Sequence, residues 1–347
     1  MRENIYNSSF VELKSFFINI DEKAFRAEQL WNWLYVKGIN ELSGLNNISK
    51  NVINKINEQY YLSQFKVSNS LLSKDGTRKW LFKLEDGNEI ETVYIPDKNR
   101  GTICISSQVG CSLSCSFCHT GTMKFSRNLS TSEILGQVMY VKNFLKDWKN
   151  KSDKKKITNI VFMGMGEPFL NYDNVIKSIN VLTNQKGLAF SKRKVTLSTS
   201  GVVPRIIDFK EDSDVNLAIS LHSAFDEIRD ILVPINKKWP IENLLKALKE
   251  YSKKRKHKRI TFEYIMLEGI NDSIKDAKEL VKLIKPFKAK INLIPFNPWP
   301  GSNYKASSPD QIKVFKKLIL EEGKLVATVR LPRGDDVLAA CGQLKSF

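Results

Sequence analysis

Three cysteines within eight residues are the feature of this sequence best suited to chemistry. Cys111, Cys115 and Cys118 lie in the segment Gly-Cys-Ser-Leu-Ser-Cys-Ser-Phe-Cys, with the spacing C-x₃-C-x₂-C. Cysteine thiolates bind iron–sulfur clusters, and most cubane clusters take four of them. Three ligands would leave one iron open, and an open metal position is typical of a site that binds a substrate. The spacing therefore predicts a catalytic [4Fe-4S] cluster rather than a structural metal.

Two other metal sites are compatible with the same segment. Structural zinc would need a fourth ligand, for which His119 is adjacent. Cys115 to His119 also match the C-x-x-C-H pattern of haem attachment, although that interpretation leaves Cys111 unexplained. The C-x₃-C-x₂-C spacing, placed after a predicted strand, resembles that of the radical S-adenosylmethionine superfamily. In that superfamily the open iron takes the amino and carboxylate groups of S-adenosylmethionine.

The elements that must position these cysteines follow a repeated β/α order from about residue 100 onward. This order predicts parallel strands, and six units suit a partial barrel better than a closed eightfold one. A capping box, Ser130 with Glu133, opens the first helix. The predicted strands lie near 102–107, 157–163, 194–198, 215–221, 259–266 and 290–294, and the predicted helices near 131–147, 172–184, 203–210, 241–252, 275–286 and 309–321.

The first hundred residues have a different pattern. Apolar residues at helical spacing predict helices over Phe10–Ile18, Phe25–Tyr35 and Ile48–Tyr60. Asp86-Gly87 between alternating runs predicts a β-hairpin over 78–96. We therefore expect an N-terminal helical domain at 1–70, a β-hairpin linker at 71–96 and the catalytic domain at 97–347. The aromatic stripe of the first domain is compatible with core packing or with RNA docking.

Small and polar residues follow four of the later strands, at the rim where β/α folds place their active sites. Glycine lets the backbone approach a ligand closely, and Glu167 is suited to an ammonium group. The four segments are Gly164–Pro168, Leu197–Gly201, Ile219–Ser223 and Ile294–Pro298.

These segments resemble the bacterial dual-specificity RNA (adenine-C2)-methyltransferase family over nearly the whole chain, together with Phe25–Tyr35, Asp75–Trp80, Glu91–Pro96, Ser107–Cys111 and Arg333–Leu344. The resemblance implies an α/β fold, a partial (βα)₆ radical-SAM barrel, with one [4Fe-4S] cluster and two S-adenosylmethionine molecules used per turnover. It implies that S-adenosylmethionine contacts Gly166, Glu167, Ser198, Ser220, Leu221, His222 and Asn297.

The activity that this resemblance implies is methylation of C2 of an adenosine. The targets are the peptidyl-transferase centre of 23S rRNA and the adenosine 3′ to the anticodon in tRNAs. Adenine C2 is not nucleophilic, so the family carries the methyl group on a protein thiol, here Cys341, and turns it into a radical that adds to the ring. Glu91 would then remove the C2 proton. Cys104 would resolve the covalent protein–RNA intermediate by attacking the sulfur of Cys341, which leaves a transient disulfide.

The charge distribution supports an RNA partner. The chain has a formal net charge of +18, and residues 1–96 contain 12 basic and 12 acidic residues, so the whole excess lies beyond them. A basic protein attracts phosphate polyanions, although a lysine-rich composition without a partner is an alternative. The basic run Lys253–Arg259 precedes the fifth barrel strand, opposite the expected active site, and is read as a solvated face.

The remaining expectations concern location and partners. With no secretory signal and no apolar run long enough to span a bilayer, we expect a cytoplasmic monomer without a membrane partner. Its electron donor would be a protein such as a flavodoxin or ferredoxin. Two rivals stay open: a resistance-type enzyme that methylates C8 of adenine with the same cysteines, and a non-catalytic iron–sulfur RNA-binding protein.

Overall fold

The computed structural model describes residues 2–148, 155–255 and 258–345. Part of the basic run, Lys256 and His257, lies outside the described residues. The strands, in chain order, are β1 Glu3–Asn4, β2 Tyr60–Tyr61, β3 Lys66–Leu72, β4 Arg78–Lys83, β5 Glu89–Asp97, β6 Arg100–Cys104, β7 Gln108–Val109, β8 Arg127–Asn128, β9 Asn159–Phe162, β10 Val195–Thr199, β11 Asn216–Ser220, β12 Ile260–Met266, β13 Ala289–Pro295 and β14 Val326–Val329. The α-helices are α1 Phe10–Asn19, α2 Phe25–Asn32, α3 Lys50–Gln59, α4 Thr131–Leu145, α5 Tyr172–Thr183, α6 Val203–Asp212, α7 Asp226–Leu232, α8 Ile241–Lys254, α9 Ile274–Ile284 and α10 Pro309–Glu321.

A ten-stranded sheet is the centre of the molecule, in the order β14-β13-β12-β11-β10-β9-β6-β5-β4-β3. From β6 to β14 all neighbours are parallel, so their carboxyl ends share one edge. The six predicted barrel strands and the six predicted helices between and after them are present. The predicted capping box of Ser130 and Glu133 opens α4, which fixes the helix that follows the cysteine segment.

Two strands of the ten-stranded sheet, β14 and β3, were missed by the sequence analysis, as were the two-residue strands β1, β2, β7 and β8 outside it. Val326–Val329 adds a further parallel strand beside β13; it is only four residues long, too short for a clear alternation. Lys66–Leu72 pairs with β4 and crosses the domain boundary expected at residue 70. All its residues are exposed, so it lacks the buried face that makes a strand visible in a sequence.

The predicted hairpin over 78–96 is present as β4 and β5. Its turn contains Gly87 at φ +85°, a left-handed conformation that favours glycine. The hairpin is not separate from the barrel, because β5 pairs antiparallel with β6 and extends the same sheet. Residues of β5 therefore lie directly beside the strand that leads into the cysteine segment.

The N-terminal helices pack on the same continuous core as the barrel. Helix α1 begins with a capping box in which Ser9 and Glu12 exchange hydrogen bonds. The aromatic stripe contributes Trp31 and Tyr35 to the interior, where both are about 1% exposed. Burial favours the core-packing interpretation of these two rings. No helix among the described residues is long and apolar enough to cross a membrane.

Candidate active site

The three clustered cysteines line one cavity at the carboxyl edge of the sheet. This cluster cavity is lined by Cys111, Cys115, Cys118 and residues of the strand ends. The loop enters it at Gly110, at φ +73°, where a Cβ would lie 2.3 Å from the carbonyl oxygen of Lys124. Glycine is therefore required for the loop to turn into the cavity.

Burial and mutual repulsion raise the pKa of the clustered thiols. The pKa of Cys111 rises to about 12 because of burial, to which the neighbouring Cys118 adds. Burial, then Cys118 and Cys111, raise the pKa of Cys115 well above its usual value. The three thiols thus lie close enough to repel one another as thiolates. Such a set favours binding of a cation, since a bound metal deprotonates coordinating thiols outright.

Among the described residues no group of three or more His, Cys, Asp or Glu side chains is placed to hold a metal ion. The zinc and haem interpretations both require His119 as a ligand. His119 does not line the cluster cavity; its ring stacks on Trp299 with centroids 4.6 Å apart, and its Nδ1 lies 3.2 Å from the Gln343 carbonyl oxygen.

Most of the predicted S-adenosylmethionine contacts line this same cavity. They are Gly166, Glu167, Ser198, Ser220 and His222. Gly166 has φ +93°, and a Cβ there would lie 2.4 Å from the Gln108 side chain. Two predicted contacts lie elsewhere: Leu221 is fully buried in the core, and Asn297 lines a neighbouring cavity.

Glu167 is a buried carboxylate that faces the cavity without a cationic partner among the described residues. It is 3% exposed, and its two oxygens accept hydrogen bonds from the backbone N–H groups of Phe169 at 3.0 Å and Ser200 at 2.8 Å. Burial raises its pKa, against the effect of those hydrogen bonds. A buried carboxylate held in this way fits the ammonium group of an amino-acid ligand.

His222 lines the cavity as a neutral ring. Burial lowers its pKa to about 3, and its Nδ1 accepts a hydrogen bond from the backbone N–H of Ile265 at 3.1 Å. The proton of the neutral ring is therefore on Nε2. His222 can donate one hydrogen bond to a ligand and carries no charge near neutral pH.

The two outlying cysteines meet in the neighbouring cavity. This thiol-pair cavity is lined by Cys104, Cys341, Asn297 and Arg330, among others, and Cys341 and Arg330 line the cluster cavity as well. Asn297 fixes the Cys341 segment by donating from Nδ2 to the Cys341 carbonyl oxygen at 3.0 Å. All five cysteines are free thiols in this structure.

Arg330 is a cation whose charge acts on both thiols of this pair, and the sequence analysis missed it. Burial raises the pKa of the Cys104 thiol to about 12, and the Arg330 guanidinium opposes that shift. Cys341 is exposed as a residue, but burial of its thiol raises the pKa of that thiol to about 11. The charge of Arg330 again opposes this shift. Arg330 follows the short strand β14, so without that strand nothing in the sequence placed it at the rim.

Glu91 lies apart from both cavities and lines neither. It is 3% exposed on β5, where Lys79 Nζ lies 2.8 Å from its Oε1 and the Lys345 backbone N–H donates to its Oε2 at 2.9 Å. Burial raises the pKa of the Glu91 carboxyl, and the charge of Lys79 lowers it. The structure brings Glu91 to the segment of Cys341, but not to an open surface.

Two protein-family models match parts of this chain. The model of the radical SAM superfamily matches residues 105–284, a little over half of the chain. The model described as the ribosomal RNA large subunit methyltransferase N-terminal domain matches residues 3–62.

Similar proteins cover almost all of the chain. The dual-specificity RNA methyltransferase RlmN of Rhodopseudomonas palustris (strain BisB5) is 50% identical over 334 residues, 94% of this chain and 84% of that protein. The protein of the same name from Gluconobacter oxydans (strain 621H) is 47% identical over 99% of this chain and 86% of its own length. The crystal structure of a radical SAM methyltransferase from Sphaerobacter thermophilus superposes with a TM-score of 0.91 at 35% identity, covering 98% of both chains.

Proposed function

The chain belongs to the RlmN family of dual-specificity RNA methyltransferases within the radical SAM superfamily, and we propose that it methylates adenosine C2 in 23S rRNA and in tRNA. Membership implies a [4Fe-4S] cluster and S-adenosylmethionine, which together supply a methyl group and a hydrogen-abstracting radical. We assign the cluster to Cys111, Cys115 and Cys118, and two S-adenosylmethionine molecules to each turnover. Glu167 would take the ammonium group of the cofactor, beside Gly166, Ser198, Ser220 and His222 on the cavity wall.

The observation that carries the proposal is the position of Cys341 between the two cavities. It lines the cluster cavity, where a methyl group would arrive, and the thiol-pair cavity, where Cys104 lies. An enzyme that carries a methyl group on one thiol and releases the product with another needs this arrangement. A protein that kept its cluster only for RNA binding would need neither thiol.

Each reacting side chain then has a separate role. Cys341 carries the methyl carbon and becomes joined to the RNA base through it. Glu91, which lines neither cavity in this structure, would remove the C2 proton once RNA binding has opened a path to it. The Cys104 thiolate attacks the Cys341 sulfur; an S–S bond forms, the S–C bond breaks, and the carbon keeps the electron pair and takes a proton.

RNA binding and the partners complete the proposal. The positive charge beyond residue 96 attracts the phosphate backbone, and the target base leaves its stack at a cost of roughly a few kcal/mol to reach the thiols. Residues 1–70 would hold the RNA in a remodelled shape. A flavodoxin or ferredoxin would supply electrons to a monomeric enzyme in the cytoplasm, where the RNA substrates are.

The experiment uses reconstituted, reduced protein that has first been methylated with unlabelled cofactor. It is then given methyl-deuterated S-adenosylmethionine and unmodified 23S rRNA, and the digested nucleosides are measured by mass spectrometry. We expect the first product to be C2-methyladenosine with an unlabelled methylene carbon, and no product from Cys341→Ala. Product at C8 would identify the resistance-type rival. Cleavage of S-adenosylmethionine without any methyladenosine would refute the proposed substrate.

A further inference from the structure

Lys79 and Glu91 form an ion pair inside the sheet. Lys79 on β4 and Glu91 on β5 are diagonal neighbours on one sheet face, because Lys79 pairs with Val93 and Glu91 with Leu81. Long side chains can reach across such a diagonal. Their side chains are only 9% and 4% exposed, with Nζ 2.8 Å from Oε1. Removing one partner of a buried pair leaves an uncompensated charge, which is strongly unfavourable.

The same pair holds the segment that carries Cys341 at two points. Lys79 Nζ donates to the Leu338 carbonyl oxygen at 3.1 Å. The Lys345 backbone N–H donates to Glu91 Oε2 at 2.9 Å. Leu338 and Lys345 lie on either side of Cys341 in the chain, so one buried ion pair fixes both ends of the segment.

The charges around Glu91 leave Lys79 as its main partner. Burial raises the pKa of Glu91, while the charge and hydrogen bond of Lys79 and the backbone of Lys345 lower it. His119 stacks on Trp299, with its Nδ1 3.2 Å from the Gln343 carbonyl oxygen. Among the described residues, Lys79 is the cation that forms a salt bridge with Glu91.

We propose that Lys79 is a positioning residue for methyl transfer, which keeps Glu91 as a carboxylate and ties that carboxylate to the segment of Cys341. The inference rests on the proposed function, since it takes Glu91 as the base. The proton passes from adenine C2 to a carboxylate oxygen of Glu91. Once Glu91 is neutral, its ion pair with Lys79 is lost and its hydrogen bond from Lys345 weakens. Removal of the C2 proton thereby loosens the Cys341 segment before Cys104 attacks it.

The test compares full-length, cluster-loaded Lys79→Met with Lys79→Arg and with Lys83→Met, an exposed lysine on the same strand. The rate of C2-methyladenosine formation is measured against pH, and the covalent protein–RNA adduct by denaturing electrophoresis. In Lys79→Met we expect the acid limb of the pH profile to move up by about 1–3 pH units, the range for loss of a neighbouring opposite charge. The adduct should accumulate, because the C2 proton stays in place, while methylation of Cys341 continues. Lys79→Arg should restore the profile, and Lys83→Met should match the parent protein.

A structural role for Lys79 would give a different result. Activity reduced equally at every pH, without accumulation of the adduct, would overturn the inference. If Lys79→Met does not retain its cluster, Lys79→Gln provides the same test, since it keeps a donor to Leu338 and loses the charge. Failure of the parent protein to form any C2 product would overturn the proposed function and this inference together, whereas an unchanged Lys79→Gln or Lys79→Met beside an active parent overturns the inference alone.

Discussion

One sheet positions two sets of cysteine thiols in different ways. The clustered set is Cys111, Cys115 and Cys118, and the thiol pair is Cys104 and Cys341. The clustered set lies in a single loop after β6, so its geometry follows from the local chain and from Gly110. The pair joins Cys104, at the end of β6 in the middle of the sheet, to Cys341, which follows the edge strand β14. Its geometry depends on every β/α unit between them. A local site can be recognised from spacing, whereas a site made by topology cannot.

The charged groups that act on the clustered cysteines differ from those that act on Cys104 and Cys341. Burial and neighbouring thiols raise the pKa of Cys115, with Arg229 as a weaker opposing charge. Both members of the pair have Arg330 as an opposing charge. One cation therefore acts on both thiols of the pair, although burial still leaves their pKa values raised, to about 12 for Cys104 and about 11 for Cys341.

Removing one clustered thiol should have the largest effect. Cys115→Ser should lose the cluster and, with it, cleavage of S-adenosylmethionine and methylation of RNA. Cluster content is read from iron and sulfide analysis and visible absorbance. Cys104→Ser is the matched control, since it removes a thiol of the pair and should keep the cluster. An intact cluster in Cys115→Ser would show that the two sets have been assigned wrongly.

Removing one thiol of the pair should stop the reaction later. We expect Cys104→Ala to retain the cluster and methylate Cys341, then to accumulate a covalent protein–RNA adduct, because no thiol remains to attack the Cys341 sulfur. Denaturing electrophoresis with labelled RNA would detect the adduct, and Cys104→Ala/Cys341→Ala should give none. Repeated turnover by Cys104→Ala would exclude Cys104 as the resolving thiol.

The same contrast explains what the sequence could predict. The six barrel strands, their helices and the hairpin were predicted because alternation, capping boxes and an Asp-Gly turn are local signals. The family resemblance implied that Cys104, Cys341 and Glu91 act together. The structure places the two cysteines in one cavity. Lys79 and Arg330 were missed as site residues because a lysine in an alternating strand and an arginine after an unpredicted strand have ordinary local patterns. Only the register of β4 with β5 and the position of β14 give them partners.

Removing the cation beside the pair should have the smallest effect. Arg330→Met should raise the pKa of Cys341 above about 11, so fewer thiolates form at a fixed pH. Alkylation of Cys341 should slow by about three- to tenfold, since one pKa unit is a factor of ten. The effect is limited by Glu263, a buried carboxyl whose pKa is lowered by Arg330. When the charge of Arg330 is lost, Glu263 can take up a proton, and its negative charge then no longer raises the pKa of Cys341.

The measurement is pH-dependent alkylation of cluster-free protein, read at each cysteine by peptide mass spectrometry. Arg330→Lys keeps the charge and should keep the parent profile. Cys111 should react as in the parent protein, because Arg330 is not among the groups that shift its pKa. If Cys111 and Cys341 slowed by the same factor, the change would come from general loosening of the rim, and Arg330 would have no specific relation to the pair.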